Sequence, residues 1–372
     1  MMKKAVIFSS IFLLILIALF LILRYSRSCR INNLSDYAYT IKSGIEKGAK
    51  LSDFITFERK IALQLPDSID FIELGESRSI ALVDTFLIIV SREFHRIFVF
   101  DSFNGKLITC IARKGEGPGE YLSIDYFDVS EDRLLYIYDR LKLQFLVFDL
   151  NGNFKKAIKL KERIPVKHFC VRFGKIFVHH PPMEEYAGFV SIIDSTGKVL
   201  NTIQNDIRWG YRAYFYRGFL SGDVYVCGNG LVIESNLFSP YIYIGDTTGN
   251  FKKGNCKIPD FAVPPKTIKD DPSFYRSLKL PYLGEFIVNE EMGIVMQSYV
   301  SPNVSRKVEH LYYNVFDFDG NYIGRIVGDV FITSNLGDNK YILGLDLGLR
   351  LGREPKYNLI VYRWKKKEEI SI

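Results

Sequence analysis

From residue 54 to residue 364 the chain alternates short runs rich in Val, Ile, Tyr and Phe with brief polar breaks, the pattern of half-buried strands. One kind of break recurs. A D-x-x-G turn follows strand-like runs at Asp149–Gly152, Asp194–Gly197, Asp246–Gly249 and Asp317–Gly320, and a version one residue longer spans Asp101–Gly105. The Asp carboxylate accepts from backbone N–H groups just ahead of it and the Gly supplies positive φ, so each copy predicts a tight β-hairpin. Successive turns start 48, 45, 52 and 71 residues apart. The first three intervals match the length of a four-stranded propeller blade. The fourth carries about 25 extra residues, placed at Ala262–Pro281, where Pro264, Pro265, Pro272 and Pro281 predict an irregular loop.

The blades can be written out from this frame. The second runs Ile124–Val129, Leu134–Tyr138, Leu143–Phe148 and Phe154–Leu160, and the fifth Glu285–Val288, Gly293–Tyr299, Leu311–Phe316 and Tyr322–Val327. A sixth begins at Val330 and continues through Tyr341–Leu345 and Asn358–Trp364, with no outer strand after it. Phe54–Leu65 is a strand-like run with no hairpin of its own, and pairing it beside Asn358–Trp364 removes two exposed edges at once. An open array of β-sandwiches would not need that exchange. The predicted fold is therefore all-β: a six-bladed β-propeller closed by an N-terminal strand and preceded by one transmembrane helix.

That helix is read from Ala5–Leu23, 19 residues broken only by Ser9 and Ser10, or roughly 28 Å at the helical rise, about a bilayer core. Arg24, Tyr25 and Arg27 follow directly, which suits an uncleaved signal anchor better than a cleavage site. The alternative is a lipoprotein acylated at Cys29. The chain divides into an anchor with basic flanks (1–30), a linker (31–53), the propeller (54–364) and a charged tail (365–372). The expected location is the cell envelope, with the propeller on the periplasmic side and the helix in the membrane. Of the formal charge of +7, five units come from Lys3, Lys4, Arg24, Arg27 and Arg30. The body is nearly balanced, which removes any case for a nucleic-acid partner. The five cysteines, Cys29, Cys110, Cys170, Cys227 and Cys256, lack C-x-x-C or metal-ligand spacing and predict no disulfide framework.

Gly115-Glu-Gly-Pro-Gly-Glu-Tyr121, the run Tyr-Ile-Tyr-Asp at 136–139 and Phe-Asp-Leu-Asn-Gly at 148–152 resemble the six-bladed propellers abundant in Bacteroidetes, which are akin to NHL-repeat propellers. The resemblance covers about residues 54–364 and implies an envelope location more than any activity. It departs from the family's lipoprotein members in its long anchor.

The glycines of the Gly115–Tyr121 loop suit a phosphate cradle, but the loop lacks the P-loop spacing and precedes a strand. A structural role, in which Glu120 and Tyr121 lock neighbouring blades, is the simpler reading. His179 and His180 are adjacent on an extended run, so their side chains point to opposite faces and cannot easily share a metal. Asp125, Asp128, Asp139 and Asn314 have the composition of a lactonase-like metal centre at a channel mouth, and convergence of three of them would mark a hydrolase or lyase. Asp139 sits where NHL-like blades carry a structural Asp. No cofactor and no catalytic or metal residue is assigned. The leading expectation is a non-catalytic propeller binding a protein, peptide or glycan on the face opposite the D-x-x-G turns, with a structural scaffold as another alternative. The longer loops lie on that face. Its candidate ligand-binding residues are Arg92, His95, Arg96, Glu120, Tyr121, Arg140, His179, His180, Tyr186, Arg306 and Arg350.

Overall fold

Where the structure describes them, the strand-like runs written out above contain strands that differ from them by up to three residues at an end, and these strands group four by four. The structure is a computed structural model that describes residues 38–65, 79–91, 95–111, 113–180, 190–203, 222–236, 241–247, 256–257, 282–300, 311–329, 332–334, 336–337, 341–345 and 358–371. The apolar segment at 5–23, Cys29, the insertion at 262–281, Arg92, Tyr186, Arg306 and Arg350 lie outside those residues. Among the described residues no helix is long and apolar enough to cross a membrane.

Strand β1 (Ile55–Ala62) comes first and belongs to the last blade. Blade 1 is β2 (Ile80–Val83), β3 (Phe86–Ser91), β4 (Arg96–Asp101) and β5 (Leu107–Ile111). Blade 2 is β6 (Tyr126–Val129), β7 (Leu134–Asp139), β8 (Gln144–Asp149) and β9 (Phe154–Lys159). Blade 3 is β10 (His168–Arg172), β11 (Lys175–His179), β12 (Val190–Ile193) and β13 (Val199–Ile203). Blade 4 is β14 (Gly222–Val226), β15 (Leu231–Asn236), β16 (Tyr241–Asp246) and β17 (Cys256–Lys257). Blade 5 is β18 (Tyr282–Asn289), β19 (Ile294–Val300), β20 (Leu311–Asp317) and β21 (Tyr322–Val327). Blade 6 orders β22 (Ile332–Ser334), β24 (Tyr341–Leu345), β25 (Asn358–Trp364) and then β1, while the short β23 (Leu336–Gly337) pairs in parallel with β2.

The closing pair has the expected form. β1 runs antiparallel to β25, from Ile55 opposite Trp364 to Ala62 opposite Asn358, with a bulge between Phe57 and Arg59. Lys365 N–H donates to the Phe54 carbonyl at 2.9 Å, so the two ends meet where the other blades have a covalent turn. Residues 38–46, placed in the linker by sequence, are helical and pack into the core between blades 5 and 6 through Ile41 and Ile45. Gly324 of β21 makes room for this helix, since a Cβ there would lie 2.8 Å from Ile45 Cδ1. Cys227 follows the inner strand of blade 4 and Cys256 lies in its outermost strand, so the two stay beyond disulfide reach.

Six clusters of buried apolar side chains fill the six blade junctions. Ile61 of β1, for example, packs with Leu359 and Val361 of blade 6 and with Ile80, Leu82 and Phe98 of blade 1. The D-x-x-G turns add a backbone contact at the rim. In the turns at Asp101, Asp149, Asp194 and Asp317 the Asp carboxylate accepts from N–H groups ahead of it: Asp194 Oδ1 takes Thr196 N at 2.8 Å and Lys198 N at 3.0 Å. Asp317 takes Asp319 N and Asn321 N in the same way. At Gly105, Gly152 and Gly197 the turn glycine then meets the outer strand of the preceding blade. A Cβ on Gly197 would sit 1.9 Å from the Lys159 carbonyl oxygen, and one on Gly105 1.9 Å from that of Ala62. Lys161 N–H donates to Gly197 O at 3.0 Å, and Gln64 N–H to Gly105 O at 2.9 Å.

Gly174 provides a control, with φ of +66° against +83° at Gly197 but open space where its Cβ would be. Gly174→Ala is expected to cost about 1 kcal/mol from the left-handed backbone alone. Gly197→Ala adds a backbone collision and is expected to cost at least about 3 kcal/mol. Urea denaturation of the two variants measures the difference, and equal losses would refute the inter-blade role of the turn glycine.

Candidate functional site at the channel mouth

The Gly115–Tyr121 loop is turned inward. Glu120 curls back so that its Oε2 accepts from Gly117 N at 2.8 Å, occupying the space that a Cβ on Gly115 or Gly117 would need. Lys142 Nζ donates to Gly115 O at 2.7 Å and to Glu120 O at 2.9 Å. Tyr121 is fully buried between blades 1 and 2, donating to the carbonyls of His95 (2.5 Å) and Ile111 (3.1 Å). Burial raises its hydroxyl pKa and keeps it a donor. Asp139, also buried, accepts from the backbone N–H groups of Leu122, Ser123, Leu141 and Lys142 and fixes the loop to blade 2. The loop is an inter-blade lock built from the residues its sequence singles out.

The other carboxylate and amide candidates are likewise engaged apart from one another. Asp125 pairs with Arg140 at 2.9 Å, Asp128 Oδ2 accepts from Val171 N at 2.7 Å, and Asn314 Oδ1 accepts from Arg325 Nε at 3.2 Å. They do not converge. Among the described residues no group of three or more His, Cys, Asp or Glu is arranged to hold a metal.

A cavity of about 1310 Å³ opens at the centre of the ring, lined by the turns between first and second strands of blades 1 to 5 and by the C-terminal segment. Antiparallel order places these turns at the same end of the blades as the D-x-x-G turns. The cavity therefore lies on the face opposite the one to which the sequence assigned recognition. Polar contacts tie its rim from blade to blade. Arg133 of blade 2 pairs with Asp84 of blade 1 at 2.8 Å, and Glu131 of blade 2 accepts from Phe173 N of blade 3 at 3.1 Å. Arg172 of blade 3 lies over the Tyr225 ring of blade 4, 5.9 Å from its centroid. Glu290 of blade 5 accepts from the Tyr225 hydroxyl at 3.1 Å and from Gly228 N at 2.6 Å. Burial pushes the Tyr225 pKa well up, so the phenol remains a donor to Glu290.

The charged tail closes the remaining side. Lys367–Glu369 form a 3-10 turn whose residues line the cavity, and Ile370 packs against the core that contains Trp364. Arg363 grips Glu369 through both terminal nitrogens, at 2.7 and 3.1 Å.

The residues assigned to ligand binding separate into three groups. His95, Arg96 and Arg140 are described and at least partly exposed, Arg140 being engaged by Asp125. Tyr121, His179 and His180 are buried, and Glu120 is half-buried with its carboxylate folded back onto its own loop. His179 ends β11 and faces Glu234 of blade 4 at 3.4 Å, and His180 Nε2 lies 2.7 Å from Ser191 Oγ. Arg92, Tyr186, Arg306 and Arg350 fall outside the described residues. Sequence reasoning missed Arg172 and Asp223 and read Asp128 only as a metal-centre candidate: Asp223 accepts from Phe286 N of the next blade at 3.3 Å, as Asp128 does from Val171 N. The available signal was a lone acid inside an inner-strand run, in Phe127-Asp128-Val129 and Gly222-Asp223-Val224.

The profile of a domain of unknown function, DUF4934, matches residues 38–278. The chain belongs to the DUF4934 family. The match starts where the helix at 38–46 begins and ends before β18, although that helix and β1 pack on blades 5 and 6. In this DUF4934 protein the matched region is therefore not a closed structural unit. A Bacteroides fragilis protein assigned as exported has a similar crystal structure, with 16% identity, 86% of this chain and 97% of that one covered, and a TM-score of 0.60. A member of the DUF4221 family from Bacteroides vulgatus aligns at 11% identity over 84% of this chain and 97% of that one, with a TM-score of 0.58. Both share the fold. No curated protein matches the sequence.

The tail contact has a defined pH dependence. The hydrogen bond from Arg363 lowers the Glu369 carboxyl to about 2 from an ordinary 4.5. A depressed acid stabilises the docked form fully above 4.5, and that contribution is lost as pH falls towards 2. In a Trp209→Phe background, Trp364 emission should shift to the red over this range, and Glu369→Gln should be red-shifted already at pH 7. Identical spectra for the two proteins at pH 7 would show that the Arg363 clamp does not hold the tail.

Proposed function

We propose that this DUF4934 protein is a non-catalytic propeller of the cell envelope that holds a peptide or glycan in the channel-mouth cavity on the D-x-x-G face. The observation that carries the reading is the cavity itself, about 1310 Å³ in volume and bounded by turns already fastened to one another across four blade junctions. A rim whose charges are paired in place holds its shape without a ligand, which lowers the ordering cost of binding. Separate engagement of Asp125, Asp128, Asp139 and Asn314 supports binding over metal-assisted hydrolysis. An envelope location is supported by the apolar Ala5–Leu23 segment and by the exported assignment of the Bacteroides fragilis relative.

The face can be tested directly. Full-length protein is screened by thermal shift against a display-derived peptide panel and a panel of envelope oligosaccharides. Glu291→Lys with Glu368→Lys, on the cavity wall, should weaken a hit by at least about tenfold, a change of about 1.4 kcal/mol. Arg96→Glu with Arg140→Glu, on the other face, should leave it within about twofold. Loss confined to the second pair would return recognition to the face opposite the turns.

A further inference from the structure

Arg172 is the last residue of β10, and its side chain is 8% exposed at the cavity wall. One terminal nitrogen is fully used. Nη1 donates to Val171 O at 2.7 Å and to Val129 O at 3.3 Å, with Asp128 Oδ2 a further 3.7 Å away. Asp128 is itself held by Val171 N, so the guanidinium is clamped by one corner with its plane set beside the Tyr225 ring. The opposite edge, Nε and Nη2, makes no hydrogen bond to any described residue, yet neither atom is sealed from the cavity.

The three donors of that edge face the cavity, where water or a polar group of a ligand completes them. The Nε/Nη2 edge is also the side of a guanidinium that receives a carboxylate through two parallel bonds. We infer that Arg172 is the ligand-orienting residue of the channel-mouth cavity and that it takes a carboxylate through this edge. The inference rests on the cavity reading above and adds the chemistry of the ligand. Six acidic and five basic residues line the cavity. That balance disfavours a polyanion and favours an otherwise neutral or zwitterionic molecule with one carboxylate, with exposed Glu291 and Glu368 on the wall available to its hydroxyls or amine. A peptide C-terminus and a terminal uronic acid both have this form.

Two pairs of probes on full-length protein test the inference and separate those sources. One is a set of short peptides with free C-termini against the same peptides amidated. The other is a neutral oligosaccharide ending in one uronic acid against its methyl ester. For one pair the acid should bind at least about tenfold more tightly than its neutral form, as expected for losing a bidentate charge-assisted contact. Which pair responds names the source. Arg172→Met should abolish that preference, and Arg172→Lys, which keeps the charge but not the fork, should retain only part of it. The wild-type comparison stands even if Arg172→Met fails to fold. Equal binding of acid and neutral probes, with loss in Glu291→Lys/Glu368→Lys, would overturn the role of Arg172 while leaving the cavity as the binding site. Binding of neither pair would overturn the carboxylate assignment.

Discussion

The pairing of β1 with β25 is the contact on which the ring depends. Each blade buries its faces only against its two neighbours, so an unclosed ring would leave a junction open and two strand edges exposed. The junction between blades 6 and 1 takes Ile61 from β1, and the one between blades 5 and 6 takes Ile55. Burying two isoleucines contributes about 3–6 kcal/mol before any hydrogen bond is counted. Domains are stable by only about 5–15 kcal/mol in total. A single strand contributed from the N-terminal side therefore carries a large share of the margin, and it couples residues about 300 positions apart.

The turn glycines carry the same logic to the rim. Positive φ explains a glycine in a hairpin, but it does not explain why the carbonyls of Ala62 and Lys159 press against Gly105 and Gly197. At these two turns the chain following the outer strand of one blade ends on the next blade's turn, and only a residue without Cβ lets the backbone hydrogen bond form there. Repetition of the turn in sequence thus records a repeated contact between blades as well as a repeated hairpin. Around the channel mouth, charged side chains take over that function, and the result is a cavity with a fixed rim.

The fold was legible because its signals are local and periodic. Asp149, Asp194 and Asp317 announce their hairpins within four residues, and Phe54–Leu65 announces itself by having none. The loop from Gly115 to Tyr121 was also readable as a lock, since its glycines and Glu120 act on each other at short range. The cavity was not legible. It is assembled from turns of blades 1 to 5 that are short, dissimilar and far apart in sequence, and loop length pointed to the other face. Arg172 looks like an ordinary charge at a strand end until Val129, Asp128 and Tyr225 from neighbouring strands surround it. His179 and His180 misled for the converse reason: they were placed among the ligand-binding residues of the longer-loop face, whereas blade packing buries both.

Closure of the ring by β1 can be measured with a single cross-link. Lys60 and Ile360 are register partners on the outermost pair of strands of blade 6, and directly opposed antiparallel residues lie within disulfide reach. In a Cys110→Ser background, Lys60→Cys with Ile360→Cys should form an intramolecular disulfide under mild oxidation of the folded protein. Closing so long a loop should raise the thermal midpoint by several degrees relative to the reduced form. Thiols that stay free in the native protein, or a bond that forms only after denaturation, would contradict the assignment of β1 to blade 6 and with it the closed six-bladed ring.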